Sequence, residues 1–476
     1  MTPKQGANSS RSWGCISTWL ILLCSTGLLA IWPLPGTIAL RHVFLAIGFI
    51  ASLSYLYQNR LTLLNQQAWP FWVLMGIYEW LLIHLAFFSH EWDLQISELS
   101  SLWMRALLAI PLGLSLGLIL RRTQNRSSLS MLTQKLENEK LEALFLFLGF
   151  AGTFIVFLGR YLYEVHITHQ WLHLNFFWTP YKAKPPFVVA SALLLPLCFI
   201  LISQALDSVM SKLWILLALL GIFLALFGDY FANTKNGMAI FVVCLALFVA
   251  HYLITLNWTT KGFFLGIPIL VFLLSFSYYG ISKHIQQNSA WPKLIADISV
   301  AADIDHQQWW KDGKVCCAPI NSLGTPVDGS TYQRTAWFVA GARLLAENPQ
   351  GYGLVHHSFG SLAAAKWPDF SKPLGNMRGA THSAWLDFAL GVGIPGLLLV
   401  LVPLWVSWYR SLFQKGLWFS YASWTIPVMS FAYLITEANE AHFIELLFFM
   451  TAFFCGITLQ YPARLLKLHP KNLQTD

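Results

Sequence analysis

The chain has 476 residues, 56% of them hydrophobic and 11% charged, with a formal net charge of +8. Soluble globular proteins carry about 25% charged residues, so composition excludes a soluble enzyme on a single anchor and makes lipid the main solvent. The Lys and Arg residues are spread over short connections instead of massed on one segment, which favours membrane orientation over nucleic-acid binding as the origin of the basic charge.

Apolar runs long enough to cross a hydrocarbon core, about 20 helical residues each, fall at 16–34, 40–58, 69–88, 102–120, 141–160, 187–206, 212–231, 237–256, 262–280, 384–408, 417–436 and 442–460. The fold expected is all-α, a polytopic membrane protein of about 12 transmembrane helices. Lys4 and Arg11 precede the first run, but it is too long for a cleaved h-region and lacks a clear small-residue cleavage site, so it reads as an uncleaved span. With the N-terminus cytoplasmic, the even-numbered connections and the C-terminus should hold the positive charge. They hold Arg60, Arg121, Arg122, Arg126, Lys135, Lys140, Lys212, Lys261, Arg410, Lys415, Arg464, Lys467 and Lys471. The opposite side carries Glu91, Asp93, Glu98, Glu437 and Glu440. Both termini are therefore expected in the cytoplasm.

The chain divides into spans one to nine at 1–280, a large external loop at 281–383 and spans ten to twelve at 384–476. A loop of that length inside a compact protein is functional or disordered, and this one has the Trp, Phe and Leu content to fold. Trp337, Ala340, Leu344 and Leu345 recur at helical spacing and predict a helix over 332–347, which Asn348-Pro349-Gln350-Gly351-Tyr352-Gly353 terminates. Gly113 and Gly117 form a GxxxG that marks close helix packing. Cys15, Cys24, Cys198, Cys244 and Cys455 lie in or beside apolar spans and act as small hydrophobes. Cys316 and Cys317 lie in the large loop without a zinc-ligand spacing.

Ionisable residues in or at the edge of spans are costly and therefore informative. The topology brings Arg160 at the end of span five, Lys235 between spans seven and eight, Arg334 in the loop helix and His382 at the start of span ten to one external face. Arg offers a planar fork to phosphate oxygens and Lys a point charge, so the group suits a diphosphate on which negative charge develops as a sugar bond breaks. A histidine there has the chemistry to take a proton from an attacking hydroxyl. Asp387, Glu437, Glu440, His442 and Glu445 gather near the same face, and Asp387 and Glu437 are candidates to orient His382. Gly391, Gly393, Pro395 and Gly396 predict a kinked and closely packed tenth span.

His382-Ser383, nine residues and then Gly393-Ile394-Pro395-Gly396 resembles the His-[Asn/Ser/Gln]-x9-Gly-x-x-Gly signature of the O-antigen ligase and polymerase superfamily. Arg334 with Trp337, the Pro349–Gly353 turn and Asn233-Thr234-Lys235-Asn236-Gly237 resemble its Arg-x-x-x-Trp helix, Pro-x-x-Gly-x-Gly turn and Ser-Arg-Gly turn, the first two with one residue fewer between the matched positions and the third with Lys235 in place of Arg. The resemblance covers about 225–400 and departs where Leu397 replaces a frequent Thr and Gly391 a frequent acid. It implies a GT-C-like glycosyltransferase of the bacterial inner membrane, working at the periplasmic face without metal or cofactor; no Gly-rich phosphate loop or paired-acid metal motif contradicts this. It further implies an undecaprenyl-diphosphate-linked glycan as donor, an inverting transfer with His382 as base and Arg334, Lys235 and Arg160 as diphosphate ligands. The acceptor is lipid A-core in a lipopolysaccharide ligase, another lipid-linked glycan in a polysaccharide polymerase and a protein hydroxyl in an O-oligosaccharyltransferase; the His-Ser pair favours the ligase. The rival of another class is a transporter or flippase of lipid-linked saccharides, which would show internal repeats and charges deep in several spans.

Overall fold

A computed structural model describes residues 6–34, 36–124, 132–171, 184–206, 212–255, 260–287, 291–311, 317–356, 358–370, 379–438 and 440–459. Lys4, Arg126, Cys316, Arg464, Lys467 and Lys471 lie outside them. Among the described residues there are no strands, only an isolated bridge between Ile320 and Pro326. The helices are α1 (Gly6–Ile31), α2 (Ile38–Gln58), α3 (Arg60–Leu63), α4 (Trp69–Phe87), α5 (Trp92–Glu98), α6 (Met104–Gln124), α7 (Leu132–Thr168), α8 (Pro185–Leu206) and α9 (Leu213–Phe231). They continue as α10 (Lys235–Thr255), α11 (Thr260–Gln287), α12 (Leu294–Ala301), α13 (Gly329–Glu347), α14 (Ser358–Lys366), α15 (Ala384–Leu412), α16 (Leu417–Ile435) and α17 (Ala441–Thr458).

Each expected span falls on a helix, and among the described residues nine helical stretches are long and apolar enough to cross a membrane. The protein is a polytopic helical membrane protein. The stretches outside those nine are the shorter apolar run Ile16–Ile31, α11 and α16, whose Trp, Tyr, Ser and Pro dilute its hydropathy. Lipid offers helices no hydrophobic drive to associate, so their packing rests on close van der Waals fit. Gly113 and Gly117 of α6 supply that fit against α17: a methyl group on them would sit 2.1 Å from the Phe449 carbonyl oxygen and 2.2 Å from that of Phe453. α8 is almost wholly buried at the centre of a second group made with α7, α9, α10 and α16.

Between α11 and α15 the chain folds over one end of the bundle. Trp310, Tyr332, Ala336, Ala340, Leu344, Phe359 and Phe370 form a separate core there, which rests on Leu386 and Leu390 of α15. Trp310 is buried because its indole nitrogen donates to the Ile304 carbonyl, and its own carbonyl accepts from Trp337. α13 starts three residues before the expected Tyr332 because Asp328 caps it, accepting from the Thr331 amide at 2.9 Å.

Candidate active site

Two glycine motifs far apart in sequence make one backbone clasp. Gly393 sits at φ +75°, ψ +174°, a region open essentially to glycine alone, and breaks α15. The break frees polar backbone groups in the bundle, and each finds a partner. Tyr352 N donates to Leu390 O, Gly353 N to Gly391 O and Ile394 N to Pro349 O, all at 2.8 Å. The Trp80 indole takes Val392 O at 2.6 Å. Gly351, at φ +87°, lies so close that a Cβ would stand 2.3 Å from Gly393 N. From behind, His84 Nε2 donates to Gly351 O while Gln95 donates to His84 Nδ1, and Glu98 accepts from Val355 N at 3.0 Å. The clasp holds the first turns of α15, and α13 packed upon them, in one orientation.

That packing sets the working residues. Gly341 of α13 lies against Thr381 and Leu386, leaving no room for a side chain. One turn apart on α13, Arg334 and Trp337 then reach the entry to α15, where Trp337 stacks on the His382 ring at 5.4 Å between centroids and 6° between planes. His382 occupies the left-handed region at φ +60°, a local strain that its surroundings must hold. Asp387 does so: its Oδ1 accepts from the Thr381 amide at 2.7 Å and the Thr381 hydroxyl at 2.8 Å.

Glu437, not Asp387, touches the histidine, with Oε2 2.6 Å from His382 Nδ1. Burial works to raise the Glu437 pKa, but the hydrogen bond from His382 and the charges of His382 and Arg334 outweigh it and hold the carboxyl below its ordinary range. A carboxylate on Nδ1 fixes a proton on that nitrogen, so that in the neutral ring it is Nε2 that carries the lone pair. The strap bearing Glu437 is tied down on both sides. Ala384 N donates to Thr436 O at 3.0 Å, and Asn236 donates to the Thr436 hydroxyl at 3.1 Å.

Asn236 belongs to the turn that carries Lys235, so the lysine comes to the same end. Lys235 Nζ lies 3.7 Å from Asp328, the cap of α13. Its turn is built by the buried Asp229, which accepts from the Thr234 hydroxyl at 2.9 Å and the Ser191 hydroxyl at 2.7 Å. Lys184, just before α8, donates to the Asn233 carbonyl at 2.9 Å. Burial, then the charges of Arg334 and Lys235, push Lys184 down to about 8, with Asp328 pulling the other way. Burial also lowers Arg334, while Glu437 and Asp328 raise it; its guanidinium stays charged at neutral pH. Among the described residues Arg334 makes no hydrogen bond or close ion pair of its own. Three cations, two carboxylates and a histidine thus share one polar site.

Of the residues expected at this face, Lys235, Arg334, His382 and Glu437 come together. Arg160 does not join them: α7 runs on to Thr168, and Arg160 pairs with Glu164 and lies over the Tyr163 ring on its own helix. Glu445 pairs with Arg105 and accepts from Trp32, and His442 lies 3.4 Å from Glu440. Sequence reasoning passed over Lys184, which follows Lys182 in a connection with no motif around it, and Asp229, whose position inside an apolar span was a usable signal. Residues 220–401 match the family model described as O-antigen ligase. No curated protein matches the chain.

Proposed function

On the premise of an O-antigen ligase domain at 220–401, we propose that this membrane enzyme moves a glycan from undecaprenyl diphosphate to an acceptor hydroxyl, with lipid A-core as acceptor. In this reading the fold is a twelve-span, GT-C-like scaffold in the bacterial inner membrane, with both termini cytoplasmic and the site periplasmic. One observation carries the mechanism: the Glu437–His382 pair lies beside Arg334, whose guanidinium has no direct partner among the described residues, and the two lysines. His382 Nε2 takes the acceptor proton as the acceptor oxygen attacks the anomeric carbon. The bond from that carbon to the diphosphate oxygen breaks, the configuration inverts, and the leaving undecaprenyl diphosphate keeps the electron pair. Arg334, Lys235 and Lys184 hold the charge that develops there.

Purified protein in liposomes, given lipid-linked glycan and lipid A-core, should release undecaprenyl diphosphate as glycan appears on the acceptor. Glycan that crosses the bilayer without changing carrier would favour a transporter. A host lacking the protein should accumulate long unligated chains; single repeats would assign the polymerase reaction instead.

Lys184 gives the donor step a pH limit. The diphosphate is attracted by charged Lys184, whose pKa is about 8, so donor KM should stay flat below that value and rise above it. Lys184→Arg keeps its charge and should flatten the alkaline rise. An equal rise in the variant would assign the limit to another group.

A further inference from the structure

His284 lies at the end of α11, beyond the expected span 262–280, and is 1% exposed. Its Nδ1 faces the Trp291 indole nitrogen at 3.0 Å. An indole nitrogen only donates, so Nδ1 must be the acceptor and the neutral ring carries its proton on Nε2. That Nε2 is buried and has no hydrogen-bond partner among the described residues. A buried donor without an acceptor is costly, and native structures leave few of them without a functional reason. The surrounding charges indicate what completes it. Lys184 and Lys235 both act on the ring, and Arg334 acts on both lysines. Ammonium and guanidinium groups only donate and so cannot accept from Nε2, while the carboxylates of the site, Asp328 and Glu437, are engaged by Lys235 and Thr331 and by His382.

We propose that His284 is a neutral hydrogen-bond donor to a phosphate oxygen of the donor lipid's diphosphate. The diphosphate site then extends from Arg334 across Lys235 and Lys184 to His284, with Trp291 setting the tautomer. This rests on the diphosphate reading above and adds to it a ligand that carries no charge, which distinguishes it from the three cations.

Binding of undecaprenyl diphosphate to the full-length protein in detergent tests this, with undecaprenol as the phosphate-free control. His284→Phe fills the site without a donor and should weaken binding about tenfold, the effect of one lost hydrogen bond to a charged group. His284→Gln restores an N–H donor and should bind within about threefold of the parent. Arg334→Ala separates the two readings. If it weakens binding while His284→Phe binds as the parent does, or both His284 variants weaken equally, the His284 assignment is overturned and the diphosphate reading stands. If Arg334→Ala also binds as the parent does, both are overturned. Should His284→Phe fail to fold, 15N-labelled histidine in the parent replaces it: the His284 Nε2–H resonance should shift on adding undecaprenyl diphosphate and not undecaprenol. An unmoved resonance, as for a donor satisfied by a resident water, overturns the proposal.

Discussion

His382→Ala should lower kcat for glycan transfer by about 10³-fold, the middle of the range for a positioned general base, while donor affinity stays near that of the parent. The reason lies in the division of labour within the site. The cations that would meet the diphosphate are on α13, the α9–α10 turn and the connection before α8, whereas His382 is held by the α15 entry, Trp337 and Glu437. Removing the imidazole takes away the proton acceptor and leaves Arg334, Lys235 and Lys184 in place. Glu437 acts through the histidine as a positioning residue, so its variant should fail differently. In Glu437→Gln the side-chain amide can donate to Nδ1, which moves the ring proton to Nε2 and removes the lone pair the reaction needs. The expected loss is about 10²-fold in kcat with a changed pH–rate profile, whereas Glu437→Asp should recover part of the activity. An unchanged pH profile in Glu437→Gln would reduce the carboxylate to a structural partner. Transfer at the parental rate by His382→Ala would remove the histidine from the chemistry altogether.

The parts of this arrangement that were legible in the sequence are those encoded by length and period. Runs of about 20 apolar residues marked the spans, because a helix needs roughly that length to cross the hydrocarbon. Gly113 and Gly117 marked the α6–α17 contact, because only small residues admit a carbonyl that close. Trp337, Ala340 and Leu344 marked α13, since an amphipathic period survives whatever the helix rests on. Spacing could not say which side chains meet. Asp387 and Glu437 were equal candidates to orient His382; the left-handed turn at His382 turns Asp387 inward to Thr381 and leaves the ring to Glu437 on another strap. Arg160 looked like a span end because its hydropathy falls there, but α7 continues for two more turns of mixed polar and apolar residues and carries Arg160 along its own surface. Lys184 and His284 gave no local signal, for their meaning comes from neighbours about 50 to 150 positions away.

At the clasp between the two glycine motifs a single methyl group meets two penalties at once, a backbone clash and a strained φ. In Gly393→Ala the new Cβ would lie 2.2 Å from the Gln350 carbonyl oxygen and 2.4 Å from its carbon, both backbone, at a φ of +75° that side chains avoid. Backbone cannot rotate aside as a side chain does. The Pro349–Gly353 turn must therefore withdraw, and its bonds to Leu390, Gly391 and Ile394 are lost together. Water does not replace them inside a bundle, where each unsatisfied backbone group costs several kcal/mol. Adding about 1–3 kcal/mol for the strained conformation, the variant should lose most of its stability, read as a large fall in melting temperature in detergent and as lost transfer. Gly396→Ala is the control, three residues along the same helix. Its Cβ would stand 2.5 Å from Val392 Cγ2 and 2.7 Å from Val392 Cβ, so part of the clash needs a backbone shift, but it strikes no backbone atom of the Pro349–Gly353 turn and carries no positive φ, so the loss should be smaller. Equal losses from the two substitutions would mean that helix packing, not the backbone clasp, holds α15 in place. The clasp also predicts an order of failure. Gly351→Ala attacks the same junction from the other side, with a Cβ 2.3 Å from Gly393 N, and should match Gly393→Ala, whereas neither should add much to the other in the double variant, because both break one set of bonds.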